Sequence, residues 1–168
     1  PRGREIEGAT VGIVGLGAIG RKVAGVMARM GAHVIGVDPL QPDLGNDRIE
    51  YVELPDLARR AEIISLHCPM PAGNRPMFDS ALIGQLQPSA VVINTARAGL
   101  VDEAAMREAL DDSRVSVYAT DVFSIEPPEP GGLASHPRVI ATSHIGGLTS
   151  ESVSRTTRIA VDNLLAHL

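Results

Sequence analysis

The sequence predicts an α/β fold, a doubly wound parallel sheet of about six or seven strands with helices on both faces. Three observations predict it. Short apolar or β-branched runs alternate with helix-compatible stretches along nearly all of the 168 residues, the pattern of parallel strands joined by helical crossovers. The run Val11-Gly-Ile-Val-Gly-Leu-Gly-Ala-Ile-Gly20 passes from an apolar strand through glycines into a helix-compatible stretch. Polar residues with chemical potential fall just after strand ends, where a sheet of this kind gathers its ligand crevice.

Taken in order, Thr10 to Val14 is the first strand, and the helix that follows runs to Met30 and ends at Gly31. His33 to Asp38 returns as a strand, with a right-handed crossover as the default. Pro39 to Asp47 is a loop rich in Pro, Asp, Gly and Asn, Ile49 to Val52 a short strand, and Pro55 to Arg60 a brief helix. Glu62 to Leu66 reads as a buried strand. The loop His67 to Asn74 cannot be regular because it holds Pro69, Pro71 and Gly73. Asp79 or Ser80 caps a short helix to Leu86, and Pro88-Ser89 turns into the strand Ala90 to Asn94. Asp102 is an N-cap for a helix from Glu103 to Leu110, and Val115 to Ala119 is the next strand. Between Glu126 and Pro137 four prolines and two glycines impose an irregular connection, after which Val139 to Ala141 gives the last strand. From Thr149 the chain is helical, with Val153, Thr157, Ala160, Val161, Leu164 and Leu168 on one face.

Composition narrows the function. The length suits one domain spanning 1–168, and 44% hydrophobic content suits a globular core. A net charge of −5, with basic residues scattered rather than blocked, argues against a nucleic-acid surface, so an anionic substrate needs a local cationic site. Cys68 is the only cysteine. An intrachain disulfide and a zinc cluster are therefore excluded, no metal site is expected, and a reducing cytoplasm fits. No apolar run approaches the ~20 residues of a membrane span, and no signal peptide opens the chain, so no membrane partner is expected.

The glycine run carries the first chemistry. Gly15 allows the sharp turn, Gly17 lets the backbone approach a pyrophosphate, and Gly20 lets the helix sit close to the strand, with Ala18 and Ile19 between them. The phosphates then face unpaired N–H groups at the positive end of the helix dipole. The second strand ends in Asp38, eighteen residues after Gly20. A carboxylate there accepts hydrogen bonds from the adenosine ribose and repels a 2′-phosphate, which favours NAD and disfavours NADP.

Past three later strands come Arg97, Asp121 with Glu126, and His144. A guanidinium grips a carboxylate in bidentate fashion, an imidazole moves a proton near neutral pH, and a carboxylate beside it fixes its tautomer. Each of these residues also has a plainer reading, as a solvated loop arginine, a structural histidine or a polar loop residue.

Five segments match one family in order: Gly15-Leu-Gly-Ala-Ile-Gly20 with Asp38, Ser65-Leu-His-Cys-Pro69, Asn94-Thr-Ala-Arg-Ala-Gly-Leu-Val-Asp-Glu103, Asp121-Val-Phe-Ser-Ile-Glu-Pro127 and Ser143-His-Ile-Gly-Gly-Leu-Thr149. In these the chain resembles the NAD-binding (Rossmann) domain of the D-isomer-specific 2-hydroxyacid dehydrogenases, which include D-lactate, glyoxylate/hydroxypyruvate and D-3-phosphoglycerate dehydrogenases. The resemblance implies that Arg97 binds the substrate carboxylate and carbonyl, that His144 is the acid/base and that Glu126 is its partner. It implies that Asp121 lies on the nicotinamide side. It also places His67, Pro69, Thr95, Ala96 and Gly146 along the cofactor, with Cys68 read as a cofactor-loop residue rather than a reactive thiol. Hydride would pass between NAD(H) and C2 of a small 2-hydroxy or 2-oxo acid.

The chain departs from the family pattern at Ala18, at Ser143, which replaces a proline common before the histidine, and at Tyr118 and Thr120, which replace smaller or aliphatic residues. The family's second, substrate-binding lobe is not recognisable in these residues, so the isolated chain is expected to bind NAD and to turn over poorly. A homodimer is the family habit. The alternative from another class is an NAD-sensing corepressor module, since a fold does not fix function.

Overall fold

The computed structural model describes residues 3–43 and 49–167. Seven strands form one parallel sheet: β1 (Thr10–Val14), β2 (His33–Val37), β3 (Ile49–Tyr51), β4 (Ile63–Leu66), β5 (Ala90–Asn94), β6 (Val115–Thr120) and β7 (Val139–Ala141). Their spatial order is β3-β2-β1-β4-β5-β6-β7. The chain thus builds outward from β1 in one direction, then returns and builds outward in the other. Between β1 and β4, paired Gly12↔Ile64 and Val14↔Leu66, the winding reverses, and a crevice opens at the carboxyl ends of the strands.

The helices are α1 (Gly20–Arg29), α2 (Leu54–Arg60), α3 (Ser80–Ile83), α4 (Glu103–Asp111) and α5 (Ser150–Leu165), with short 3-10 turns at Ala98–Leu100 and Leu133–Ser135. The expected caps form. Asp79 accepts from Leu82 N and Asp102 from Ala104 N and Ala105 N; Thr149, expected only as the start of the last helix, also caps it by accepting from Ser152 N. The helix expected to reach Leu86 stops at Ile83, its end tightened by three-residue turns from Gln85 N to Leu82 O and Leu86 N to Ile83 O.

Alternation along the strands divides the core into two. Val11 and Ile13 turn to one face and pack with Leu16, Ala24 and Val34 under α1. Val14, Leu66 and Val92 turn to the other and pack with Leu57, Ile83, Met106 and Leu110 from α2, α3 and α4. Burial of these branched side chains contributes roughly 1.5–3 kcal/mol each.

The last helix differs from expectation in its surroundings. Its apolar residues fall on one face, yet Val153, Val161 and Leu164 are 51%, 48% and 62% exposed, and α5 buries no residue. Leu168, and residues 44–48 of the loop that precedes β3, lie outside the described residues. No helix among the described residues is long and apolar enough to cross a membrane.

Candidate active site

The turn between β1 and α1 is built as the glycine spacing requires. Gly15 has φ +91°, and a Cβ on Gly20 would stand 1.9 Å from the Gly15 carbonyl oxygen, so helix and strand approach as closely as backbones can. At Gly17 nothing lies within 4 Å of where a Cβ would be. The N–H groups of Gly17, Ala18 and Ile19 have no partner among the described residues, no side chain caps α1, and its first turn holds no acidic residue. The positive end of the helix is thus open to an anion, and these residues fit the pyrophosphate of a dinucleotide.

Asp38 closes one side of this turn. Its Oδ2 accepts from Leu16 N at 2.8 Å and its Oδ1 from Leu40 N at 2.9 Å, so the carboxylate is fixed beside the phosphate turn. Arg21, which sequence reasoning passed over, donates from Nε to Gly17 O at 3.1 Å.

On the β4 side, His67 Nε2 lies 2.9 Å from Ser65 Oγ, and the His67 Cβ is 3.3 Å from the position of a Gly20 Cβ, which sets the base of this side chain against the start of α1. Burial pushes the His67 imidazole down and the Cys68 thiol up. A thiol held protonated is a poor nucleophile, as expected for a cofactor-loop residue. Pro69 is exposed at the loop's start.

At the end of β5, Asn94 is fully buried. Its Oδ1 accepts from Ala96 N at 3.1 Å and its Nδ2 donates to Arg97 O at 2.9 Å. Thr95 and Arg97 are exposed, and the guanidinium reaches only back to Ala96 O, at 2.7 Å. It makes no ion pair among the described residues and retains donors for an acid.

The densest part of the site is the clamp by Asp121 on the turn that carries His144. Asp121 is 5% exposed. Its Oδ1 accepts from Thr142 Oγ1 at 2.6 Å and Ile145 N at 2.9 Å, and its Oδ2 from Gly146 N at 2.8 Å. Burial opposes its charge, but the three hydrogen bonds and the neighbouring His144 outweigh it and hold its carboxyl below the usual carboxylate range. His144 has φ +55°, a left-handed conformation that L residues rarely adopt. The two N–H groups that follow it are the ones bound to Asp121, so the clamp holds the turn in that conformation. At Gly146 a Cβ would come within 2.9 Å of Asp121 Oδ2, which explains a glycine there without any contact to a cofactor.

His144 Nδ1 lies 2.9 and 3.1 Å from the two carboxylate oxygens of Glu126. Phe123 N also donates to Glu126 Oε1, at 3.2 Å. The hydrogen bond to His144, then that from Phe123, holds the Glu126 carboxyl below its usual range. An ionised carboxylate only accepts, so Nδ1 carries the proton in this pair and Nε2 is the nitrogen left for chemistry. The side chains are 55% and 42% exposed, so Nε2 is open to a small molecule.

The structure therefore brings Glu126 against His144 and Asp121 against Gly146, on one turn. Arg97 shares the crevice edge but bonds to none of them, and Gly15 to Gly20, Asp38 and His67 form a separate group around the β1–α1 turn.

A family model described as "D-isomer specific 2-hydroxyacid dehydrogenase, NAD binding domain" matches residues 1–146. The chain belongs to this family. It is 39% identical over 158 residues to D-3-phosphoglycerate dehydrogenase of Mycobacterium leprae, covering 91% of this chain and 29% of that protein. It is 38% identical over 166 residues to (S)-sulfolactate dehydrogenase of Chromohalobacter salexigens, covering 96% of this chain and 54% of that protein. Among solved structures, the NAD-complexed D-isomer specific 2-hydroxyacid dehydrogenase of Lactobacillus delbrueckii superposes with a TM-score of 0.87 at 28% identity, over 96% of this chain and 54% of that one. The chain thus spans about half or less of the length of these relatives, and NAD is the cofactor of its domain family.

Proposed function

We propose that this chain carries the catalytic groups of an NAD-dependent oxidoreductase that interconverts a small D-2-hydroxy acid and its 2-oxo acid. The observation that carries the reading is the His144–Glu126 pair, with Nδ1 against the carboxylate at 2.9 Å and Nε2 free. Gly15, Gly17, Ala18, Ile19 and Gly20 would hold the pyrophosphate of NAD, Asp38 the adenosine ribose, and His67, Pro69, Thr95, Ala96, Asp121 and Gly146 the remainder of the dinucleotide. Bound there, NAD supplies or accepts the hydride at C2 of the substrate.

Every other part of the task falls to side chains. Arg97 exchanges its bond to Ala96 O for a bidentate grip on the substrate carboxylate, which orients C2. His144 Nε2 gives a proton to the C2 oxygen during reduction and takes it back during oxidation. Glu126 fixes the tautomer and favours the proton-bearing ring. Asp121 fixes the turn from which the ring projects.

The relatives are named as dehydrogenases acting on 3-phosphoglycerate and sulfolactate, and a third is named hydroxypyruvate reductase, which favours this class over the corepressor alternative. Substrates of this kind are the natural panel. NADH consumption by the full-length protein with glyoxylate, pyruvate, hydroxypyruvate, 3-sulfopyruvate and 3-phosphohydroxypyruvate tests the reading, with at least one of them expected to be reduced. NADH binding without turnover of any 2-oxo acid would favour the corepressor class. A homodimer and a cytoplasmic setting complete the proposal. Light scattering of the full-length protein and fractionation of its source cells test them.

A further inference from the structure

The first turn of α1 holds no acidic residue and carries two basic ones instead, Arg21 and Lys22. Both are exposed, and neither forms an ion pair among the described residues. The helix dipole disfavours cations at this end, so the fold alone gives no reason for them, and an anion at the turn does.

Arg21 also acts on the turn itself. The Gly17 carbonyl oxygen accepts twice from this one residue, from its backbone N at 3.1 Å and from its side-chain Nε at 3.1 Å. Nothing lies within 4 Å of where a Gly17 Cβ would stand, so these two bonds, not side-chain packing, hold the Gly17–Ala18 peptide. That peptide is trans, and across a planar trans peptide the C=O and N–H point in opposite directions. The bond from Arg21 N spans four residues, as in a helix, and draws the Gly17 oxygen toward the body of α1. The Ala18 N–H on the other edge of the same plane therefore points out of the positive end of the helix, where it has no partner among the described residues. Ala18 brings no polar side chain, so the aim of this N–H is what the position has to offer.

We propose that Arg21 is a positioning residue for the cofactor pyrophosphate: its Nε–H, bound to Gly17 O, locks the Gly17–Ala18 peptide with the Ala18 N–H toward the phosphates. This rests on the reading of the Gly15 to Gly20 turn given above. Side-chain chemistry separates this role from that of a free positive charge. Glutamine carries Nε2 at the same point along its chain as the arginine Nε, so Arg21→Gln keeps the donor and removes the charge. Arg21→Lys keeps the charge and puts a methylene where the donor stood, and Arg21→Met removes both.

The test is calorimetric titration of the full-length protein and these three variants with ADP-ribose, which retains the pyrophosphate, and with adenosine, which lacks it. Titrations in about 1 M salt, where the Debye length is about 3 Å, screen long-range attraction, and thermal melts run alongside. Arg21→Lys and Arg21→Met should raise the Kd for ADP-ribose by about three- to tenfold, the scale of one hydrogen bond. Arg21→Gln should stay within about twofold of the parent, and all three should bind adenosine as the parent does. Parent-like binding by Arg21→Lys with weakened binding by Arg21→Gln would make the residue a charge contact and overturn the proposal. Unchanged ADP-ribose affinity in all three overturns it too, as does a loss shared by adenosine that tracks the melting temperature. If Gly17→Ala also binds ADP-ribose like the parent, the phosphate reading of the turn fails and this inference falls with it. If Gly17→Ala is weak while Arg21→Lys and Arg21→Met are silent, this inference falls alone.

Discussion

Gly17→Ala and Gly20→Ala should separate phosphate binding from folding. At Gly17 a methyl group meets no atom within 4 Å and the φ is not left-handed, so the folded chain accepts it. Alanine even restricts the unfolded state, which stabilises by roughly 0.4–1 kcal/mol where the backbone is compatible. On the proposed reading its cost falls on the ligand, because the methyl would stand in the open space through which a pyrophosphate would approach the N–H groups of Gly17, Ala18 and Ile19, which have no partner among the described residues. Displacing a phosphate oxygen from one such charge-assisted bond loses roughly 1.5–3 kcal/mol, about ten- to 150-fold in Kd.

At Gly20 the methyl would sit 1.9 Å from the Gly15 carbonyl oxygen, and helix and turn must separate. Overpacking of this kind costs roughly 1–3 kcal/mol or more, and each kcal/mol lowers Tm by about 2–4 °C in a domain of this size. NADH fluorescence titration and thermal melts of both variants read the two effects. Gly17→Ala should keep its Tm and lose NADH, whereas Gly20→Ala should lose both. If Gly17→Ala bound NADH within about twofold of the parent chain, Gly17 would not lie against the phosphates, and the assignment of this turn would be wrong.

The remaining expectations concern charge. Glu126→Gln removes the negative charge 2.9 Å from His144 Nδ1, so the limb of the pH profile for 2-oxo acid reduction should move to lower pH; a stationary limb refutes the pairing. Asp38→Asn removes the repulsion of a 2′-phosphate and puts an amide donor against Leu16 N or Leu40 N. NADH affinity should fall while discrimination against NADPH narrows by about tenfold, roughly 1.4 kcal/mol, and competition titrations would show it. Thr142→Val removes the 2.6 Å bond to Asp121 and should lower kcat with little change in NADH affinity, as measured by single-turnover reduction.

What the sequence makes legible is mostly local. A strand, a glycine turn and a helix within one unit reveal their geometry through spacing, and so do the caps Asp79 and Asp102, each of which binds an N–H two or three residues on. The Asp121 clamp spans 21 to 25 residues, and nothing in the spacing of Thr142 announces that its hydroxyl turns back to β6. Ser65 is similar: it lies two residues from His67, a separation at which side chains share one face of a strand, yet its hydroxyl looks like any buried serine. Helix α5 shows another boundary. Periodicity reveals that a helix has an apolar face and is silent on what that face meets, so the same stripe that covers the sheet in α1 stands in solvent in α5.

The two carboxylates around His144 differ in burial and bonding. Asp121 is buried and bound three times over, whereas Glu126 is largely exposed and pairs with the ring in a geometry that contributes little to stability at a surface. Asp121 thus fixes the turn from which the ring projects, and Glu126 fixes which ring nitrogen faces a carboxylate. Both carboxyls are held below the usual range. A depressed carboxyl contributes fully above its unfolded value, and that contribution fades only as pH falls through the still lower folded value. Both carboxylates are therefore charged across the neutral range, and the contribution of each is lost only in strong acid. Any limb of the activity profile near neutrality therefore belongs to neither carboxylate, and a loss of activity there would not be reporting on the Asp121 clamp.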